Sequence, residues 1–244
     1  MNDSGGSRAQ ARRSLGEAGV VVLYEDNHVL AVSKPAGLLS QGGPKGEVSL
    51  PDLIDAYRRD AEGKPGRAYV GLVHRLDRNV SGVMVLAKTS KAASRLSAMF
   101  RNRRDLEKTY LAWVAGLPSP RTGVLESRLV RDALKTSSAT SADDDAKEAR
   151  LQYEVEGVGP KASRVRIALE TGRTHQIRAQ MAEAGHPLIG DAKYGGPQGA
   201  RPALHAWRLA FVHPVSRERI VVEAPLPEDL RRLDRALGID PHGS

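Results

Sequence analysis

Residues 74–82 concentrate side chains that could perform chemistry. Asp77 lies between Arg75 and Arg78, and a Ser-Gly pair leads directly into the apolar residues 83–87. Nearby positive charge favours the ionised form of a carboxylic acid. An ionised carboxylate held at the start of a strand is either one half of a structural ion pair or a nucleophile. An acid beside arginine is more often structural, so these residues alone leave both alternatives open.

Two further segments are equally rich in polar groups. Residues 169–178 pass from a predicted strand into a predicted helix, and the backbone N–H groups at a helix start favour a nearby anion. Residues 185–195 form a glycine-rich loop. Arg173 and Arg178 are more than one helical turn apart, so one could face Asp77 while the other contacts phosphate.

The composition indicates a globular protein with an anionic partner. The 244 residues are enough for one large domain or two small ones, and the fractions of hydrophobic (40%) and charged (27%) residues are ordinary. The net charge of +8 favours a polyanion such as nucleic acid, although an arginine-rich composition can also reflect a GC-rich genome. Arg101, Arg103 and Arg104 lie close to Lys108 in the chain, which indicates a phosphate-binding face.

Several other classes of protein are disfavoured. Without Cys, the chain forms no disulfide and no thiolate metal site. Cations near His74, His175 and His186 make a bound metal ion unfavourable, so no metal is expected. No apolar stretch approaches the length of a membrane span, and the polar, basic N-terminus does not resemble a secretory signal. We therefore expect a cytoplasmic protein that does not associate with membranes.

Alternating hairpins and helices predict an α+β fold, with a mixed, mostly antiparallel sheet and flanking helices. Hairpins are predicted where short apolar or alternating segments flank turn residues, at 20–23 with 29–32, 151–155 with 165–169, and 209–212 with 220–224. Residues 83–87 are predicted to form a buried strand. Ser49, Ser90 and Thr174 are predicted to begin three helices.

One catalytic domain is expected over residues 19–238. Residues 1–18, rich in Ser, Gly, Arg and Ala, are expected to form a disordered basic tail. Residues 239–244 are expected to be frayed, and residues 136–147 are expected to form an exposed loop within the domain.

Four groups of residues, taken in order, resemble the RluA family of pseudouridine synthases over about residues 20–225. They are Glu25-Asp26-Asn27-His28 with Lys34-Pro35-Ala36-Gly37; His74-Arg75-Leu76-Asp77 with Ser81-Gly82; Lys108-Thr109-Tyr110; and Thr171 to Arg178 with Gly185-His186-Pro187 and Gly190-Asp191. Each short motif is weak alone, but the ordered set is specific.

The resemblance implies an isomerase that detaches uracil from its ribose, rotates it and rejoins it through a ring carbon, without a cofactor. It implies that Asp77 is the nucleophile, attacking either the ribose anomeric carbon or the uracil ring. Tyr110 would stack on the target base, and Arg178 would hold Asp77 ionised and oriented. The residues expected to bind substrate are Arg75, which would help to displace the base, Ile177, which would pack against it, and Arg173, Lys34 and His74.

The expected substrate is structured RNA, either ribosomal or transfer RNA, with the target uridine in a single-stranded loop. Only 4% of the residues are aromatic, so phosphate contacts should dominate affinity. The enzyme is expected to act as a monomer without an obligate protein partner. The segment before the first predicted strand is too short for the small RNA-binding domain that often precedes this catalytic domain.

Val80 departs from the family, which usually has Thr after the catalytic motif. Val and Thr share a shape, so only a modest effect is expected from the lost hydroxyl. A catalytically silent RNA-binding protein is the main alternative, but the intact set of Asp77, Tyr110 and Arg178 argues against it. Ser81 lies outside a Gly-x-Ser-x-Gly elbow and no P-loop is present, which disfavours hydrolases.

Overall fold

The computed structural model describes residues 4–43, 46–63, 65–131, 136–138 and 146–240. The chain forms two compact units, and the single catalytic domain expected over residues 19–238 stays a prediction. Unit 1 comprises Met1–Leu106 and Arg208–Pro225, and unit 2 comprises Glu107–Trp207 and Leu226–Ser244.

Unit 1 combines short strands with helices. Strands β5 and β10 each belong partly to unit 1 and partly to unit 2. The elements of unit 1 are α1 (Ser4–Glu17), β1 (Val21–Glu25), β2 (Val29–Lys34), α2 (Leu50–Glu62), β3 (Gly71–Leu72), β4 (Ser81–Ala87), α3 (Ser90–Asn102), the start of β5 (Leu106–Ala115), the end of β10 (Leu204–Val212), and β11 (Arg219–Glu223). Strand β2 pairs antiparallel with both β1 and β4, β3 pairs antiparallel with β4, and β10 with β11. The isolated bridge between Leu39 and Ser49 is parallel.

Local turn and cap chemistry explains several of these elements. The Asp26 carboxylate accepts the backbone N–H groups of His28 and Val29, both at 2.7 Å, and so closes the predicted β1–β2 hairpin. Helix α2 begins after Ser49, as predicted. Helix α3 begins one residue earlier than predicted, because its cap is Thr89, whose hydroxyl accepts the Ala92 N–H, rather than Ser90.

Strand β4 is buried along its whole length, which confirms the strand predicted at residues 83–87. Val83 and Val85 pack with Leu96 of α3 and Phe211 of β10 in the core of unit 1. The core of unit 1 therefore holds the first residues of β4, the strand that follows Asp77 in the chain.

The N-terminal segment differs from the disordered tail predicted for residues 1–18. Residues Ser4–Glu17 form helix α1, in which Ala11 and Leu15 are buried four positions apart on one face. Arg8 and Arg12 form ion pairs with Glu25. The Ser- and Gly-rich composition concealed this short apolar stripe, whose burial depends on packing against the rest of unit 1.

Unit 2 is built around long antiparallel strands. Its described elements, besides the rest of β5 and the start of β10, are β6 (Thr122–Arg131), β7 (Thr136–Ser138), β8 (Lys147–Val158), β9 (Ala162–Leu169), α4 (Gln176–Glu183), a short 3-10 turn (Ala192–Tyr194) and α5 (Glu228–Ala236). The pairs run in the order β5-β9-β8-β6-β7 and are all antiparallel. Together with unit 1, these strands and helices confirm the predicted α+β class.

Two further expectations in unit 2 need correction. Ile239 is buried and the Asp240 N–H donates to the Val158 carbonyl at 3.1 Å, so residues 239 and 240, the described part of the segment 239–244 that was expected to fray, are anchored. Within the loop expected at residues 136–147, Thr136–Ser138 form β7 and Lys147 begins β8. Residues 139–145 and 241–244 lie outside the described residues.

Candidate active site

Asp77 lies on the segment between β3 and β4, which we call the Asp77 loop (residues 73–80). The Val80 N–H donates to the Asp77 carbonyl at 3.0 Å and closes a turn. Asp77 is half-buried, whereas Arg75 and Arg78 on either side are exposed. Val80 is buried, so the apolar replacement for the family's usual Thr lies in an environment that suits it.

The residue before Asp77 is held by Ser40. The Ser40 hydroxyl donates to the Leu76 carbonyl at 2.6 Å and accepts the Leu76 N–H at 3.1 Å. Ser40 and Leu76 are both buried. A single side chain therefore satisfies both backbone groups of Leu76 and fixes the backbone that leads into Asp77.

The residue after Asp77 is held by Lys34, whose side chain is fully buried (0% exposed). Its ammonium donates to the carbonyl oxygens of Pro35 and Leu38, both at 2.8 Å, and of Arg78 at 3.1 Å. The sequence-based expectation of a substrate contact for Lys34 is therefore corrected, because a buried ammonium that serves three carbonyls cannot reach an RNA phosphate. Lys34 supports the Asp77 loop instead.

His74 also supports the loop. Its Nε2 accepts the Val85 N–H at 2.9 Å, and its ring stacks on Phe100 with centroids 4.3 Å apart and planes within 9°. These contacts place the ring of His74 between β4 and the last turn of α3. The expected contact of His74 with substrate stays a prediction. Arg75 donates to Gln41 Oε1 at 3.1 Å from an exposed position, where it is accessible to a ligand.

In unit 2, four side chains form what we call the Arg178 cluster: His175, Arg178, Asp191 and Tyr194. Arg178 donates from Nε to Asp191 Oδ2 at 2.6 Å and from Nη2 to Asp191 Oδ1 at 2.8 Å. The guanidinium carbon lies 5.1 Å from the centroid of the Tyr194 ring, and Tyr194 Oη lies 3.0 Å from His175 Nδ1. Burial raises the pKa of Tyr194, so its phenol stays protonated near neutral pH.

The start of α4 is fixed by a glutamine network. Gln176 Oε1 accepts the Thr171 hydroxyl at 2.7 Å and the Arg173 N–H at 3.1 Å, and Gln176 Nε2 donates to Gln180 Oε1 at 2.9 Å. His175 precedes the helix in a left-handed conformation, at a φ of 55°. The N-cap of α4 is therefore His175, whereas Thr174 was predicted to begin this helix.

Three other candidate residues of unit 2 occupy different positions. Arg173 is half-buried and donates from Nε to the Glu148 carbonyl at 2.9 Å. Tyr110 is half-buried in β5, opposite Ile167 of β9, and Ile177 is buried in α4. The proposed roles of these residues with substrate stay predictions.

Sequence reasoning missed the partner that the structure gives Arg178. Asp191 is 1% exposed and Arg178 8%. The available signal was that Asp191 is the only acid in the glycine-rich residues 185–195. Among the described residues, no group of three or more His, Asp and Glu side chains is arranged to hold a metal, and no described helix is long and apolar enough to cross a membrane.

Comparison with known proteins identifies the family of this chain. The model of the RNA pseudouridylate synthase family matches residues 28–183, which include Asp77, Tyr110 and Arg178. A protein of Xanthomonas campestris pv. campestris named ribosomal large subunit pseudouridine synthase D is 40% identical, over 90% of this chain and 70% of its own length. A Bacillus subtilis protein named uncharacterized RNA pseudouridine synthase YhcT is 36% identical, over 88% of this chain and 71% of its own length.

The fold is also that of solved structures. The human protein RNA pseudouridylate synthase domain containing 4 superposes with a TM-score of 0.80, covering 96% of this chain and 98% of its own, at 23% identity. The human RNA pseudouridylate synthase domain containing 1 superposes with a TM-score of 0.69, at 22% identity. The family match and the identity to named relatives show that the chain belongs to the RNA pseudouridylate synthase family, whose members convert uridine in RNA to pseudouridine.

Proposed function

We propose that this enzyme isomerises specific uridines in structured ribosomal or transfer RNA, with Asp77 as the nucleophile. The observation that carries this proposal is the support of the Asp77 loop on both sides. Ser40 holds Leu76 and Lys34 holds Arg78, so the backbone is fixed one residue before and one residue after the carboxylate. A nucleophile needs such fixed geometry, because misplacement of a reacting group slows the chemical step.

The reaction is an exchange of bonds within one nucleotide. The N-glycosidic bond between uracil and the ribose anomeric carbon breaks, and a carbon–carbon bond forms between the same ribose carbon and the uracil ring. The ring carbon loses a proton and the released ring nitrogen gains one, so no atom is added and no cofactor is needed. Asp77 forms a transient covalent bond, either to the anomeric carbon or to the uracil ring, and is released when the product forms.

Other candidate residues bind and orient the base in this proposal. Tyr110 stacks on the target uracil, and its hydroxyl assists proton removal from the ring. Arg75 helps to displace the base from the RNA stack, as any enzyme that acts on a base must. Ile177 packs against the uracil, and Arg173 contacts phosphate. Arg178 is the third catalytic residue.

We further propose that the end of α3 contacts the RNA backbone. Arg101 and Arg104 are exposed, and neither forms a hydrogen bond or ion pair with another residue that the structure describes. Arg103 ends α3 in a left-handed conformation, at a φ of 59°, and its N–H donates to the Met99 carbonyl; Asp105 is also left-handed, at 60°. Phe100 near the end of α3 stacks on His74, so this end of the helix packs against the Asp77 loop.

This surface contrasts with α1. Arg8 and Arg12 of α1 both form ion pairs with Glu25 and so have a partner within the fold. We therefore assign phosphate binding to the end of α3 ahead of α1. The choice of ribosomal RNA as first candidate substrate is supported by the relatives named ribosomal large subunit pseudouridine synthase D. We place the enzyme in the cytoplasm as a monomer without an obligate protein partner.

The experiment that tests this function is pseudouridine mapping of total RNA from cells with and without this gene, complemented by wild type or by Asp77→Asn. We expect a site in ribosomal or transfer RNA that disappears with the gene and returns only with wild type. Return of the site with Asp77→Asn would rule out the nucleophile. If no site changes in either RNA class while purified protein still binds RNA, the alternative of a catalytically silent RNA-binding protein replaces the substrate assignment.

A further inference from the structure

The strongest unassigned feature is the buried ion pair between Arg178 and Asp191. Two parallel N–H···O bonds join the guanidinium edge to both carboxylate oxygens, at 2.6 and 2.8 Å. Such bidentate pairs fix the plane and the direction of a guanidinium, which a single hydrogen bond does not. Asp191 lies beyond residue 183, where the match to the family model ends.

The carboxylate is presented by a backbone that is itself fixed. The Asp191 carbonyl accepts the N–H groups of Tyr194 at 3.0 Å and Gly196 at 2.9 Å, while the Asp191 N–H donates to Leu188. Gly190 has a φ of +77°, and a Cβ there would lie 2.0 Å from the Arg201 carbonyl oxygen. Only glycine fits at position 190 in this conformation of the loop, which places Asp191 beside Arg178.

Tyr194 supports the guanidinium from a second direction. Its ring lies 5.1 Å from the Arg178 guanidinium carbon, within the range of a cation–π interaction. The Tyr194 hydroxyl is held by the Thr136 N–H at 3.1 Å and lies 3.0 Å from His175 Nδ1. Arg178 is therefore fixed at its Nε–Nη2 edge by Asp191 and across one face by a ring that is itself immobilised.

Burial gives this arrangement an energetic consequence. Removing two charges from water costs several kcal/mol per ion, and the attraction between them offsets that cost only when the geometry is close to ideal. A well-packed apolar pair of similar volume often stabilises a fold as much or more. The pair is therefore better explained by the orientation that it imposes on Arg178 than by stability alone.

We propose that Asp191 is a positioning residue of the isomerisation, acting by holding the Arg178 guanidinium in its catalytic orientation. This inference rests on the proposed function, in which Arg178 is catalytic. It assigns Asp191 no contact with the substrate. Loss of Asp191 should consequently slow the chemical step and leave affinity for RNA nearly unchanged.

The test measures single-turnover pseudouridine formation, RNA affinity and thermal unfolding of the full chain, using the RNA identified by mapping. Asp191→Asn should slow the single-turnover rate about 10- to 100-fold at saturating enzyme, the scale expected for a misplaced catalytic group. Its dissociation constant for RNA should stay within about threefold of wild type, since the positioning role involves no RNA contact.

The control is Asp229→Asn, at a carboxylate that is 50% exposed and pairs with a buried arginine. Arg201 Nε donates to Asp229 Oδ2 at 2.7 Å, and the Arg201 side chain is as buried as that of Arg178, at 9% exposed. This variant therefore breaks an Arg–Asp pair of the same unit without touching the Arg178 cluster. We expect its single-turnover rate to equal that of wild type.

A double-mutant comparison separates positioning from general structural support. If Asp191 acts through Arg178, Arg178→Ala with Asp191→Asn should be no slower than Arg178→Ala alone. Independent, multiplying effects of the two changes would overturn the proposal, as would a wild-type rate for Asp191→Asn.

A charge-preserving variant covers the case in which Asp191→Asn does not fold. Asp191→Glu keeps the buried arginine paired but moves the carboxylate by one methylene, so it should fold and still react at least about tenfold more slowly. A wild-type rate for this variant would then refute the positioning role. Wild-type protein that forms no pseudouridine would instead refute the proposed function itself, so the two failures are distinguishable.

Discussion

Lys34 donates a hydrogen bond from its buried ammonium to the carbonyl oxygen of Arg78, 3.1 Å away and one residue past Asp77. The same ammonium also donates to the carbonyl oxygens of Pro35 and Leu38, in the segment that follows β2. It therefore ties the end of one strand to the loop that carries the proposed nucleophile, a task that an apolar side chain cannot perform.

Lys34→Met is expected to destabilise the protein. Met keeps most of the side-chain volume but leaves three carbonyl oxygens without their charged donor, which should lower the free energy of unfolding by about 3–5 kcal/mol. Urea unfolding of purified protein measures the change. Lys91→Met, on an exposed position of α3, should stay within about 0.5 kcal/mol of wild type. Equal stability of Lys34→Met and wild type would show that the carbonyl cage is dispensable.

Asp77→Asn is expected to abolish pseudouridine formation while folding and RNA binding are kept. The amide is nearly the same size as the carboxylate but cannot form the covalent intermediate, so the rate should fall by at least about 10³-fold. Single-turnover assays and RNA binding on the same preparation measure both properties. Asp60→Asn, an exposed change on α2, provides the control. Measurable turnover by Asp77→Asn close to wild type would exclude a nucleophilic role.

Because of Glu25, the free energy of unfolding is expected to decrease as the pH falls into the acid range. Burial alone raises its pKa, but hydrogen bonds from Lys88, Tyr57 and Arg8 outweigh that effect and lower the pKa to about 2, from an ordinary value of 4.5. The side chain is 2% exposed and lies 2.9 Å from Lys88 Nζ. The ionised form is therefore strongly preferred in the folded protein.

The lowered pKa determines the pH range of the effect. The unfolded chain binds a proton at Glu25 below about pH 4.5, so the stabilisation is complete above that pH and is lost as pH falls towards 2. It amounts to about 3 kcal/mol. Unfolding free energies measured from pH 7 to pH 2 should converge for wild type and Glu25→Gln in acid. A constant difference over that range would show that Glu25 does not titrate as described.

Local chemistry explains what the sequence predicted well. The β1–β2 hairpin depends on a turn in which Asp26 binds N–H groups two and three residues away, and β4 depends on a continuous apolar run. Both signals lie within a few residues. The Asp77 loop was likewise identified from one short segment, because Arg75, Asp77 and Arg78 lie close together in the chain.

Features that depend on distant packing were missed. Helix α1 has few apolar residues, and the burial of Ala11 and Leu15 requires surrounding elements that the local pattern does not reveal. The Arg178–Asp191 pair spans 13 positions and depends on the left-handed turn at Gly190. Lys34 looked like a phosphate ligand because its charge is visible in the sequence, whereas the carbonyls around it appear only in the folded chain.

The end of α3 leads to a prediction about salt. RNA binding releases counterions, and each phosphate contact from a cation adds about 0.7 to 1 to the slope of log affinity against log salt concentration. Arg101→Gln with Arg104→Gln should therefore reduce that slope by about 1.4 to 2 and weaken binding at low salt. Arg232→Gln on α5 removes an exposed arginine that pairs with Glu228, and its slope should match wild type. If the double change leaves the slope intact, these arginines do not contact RNA.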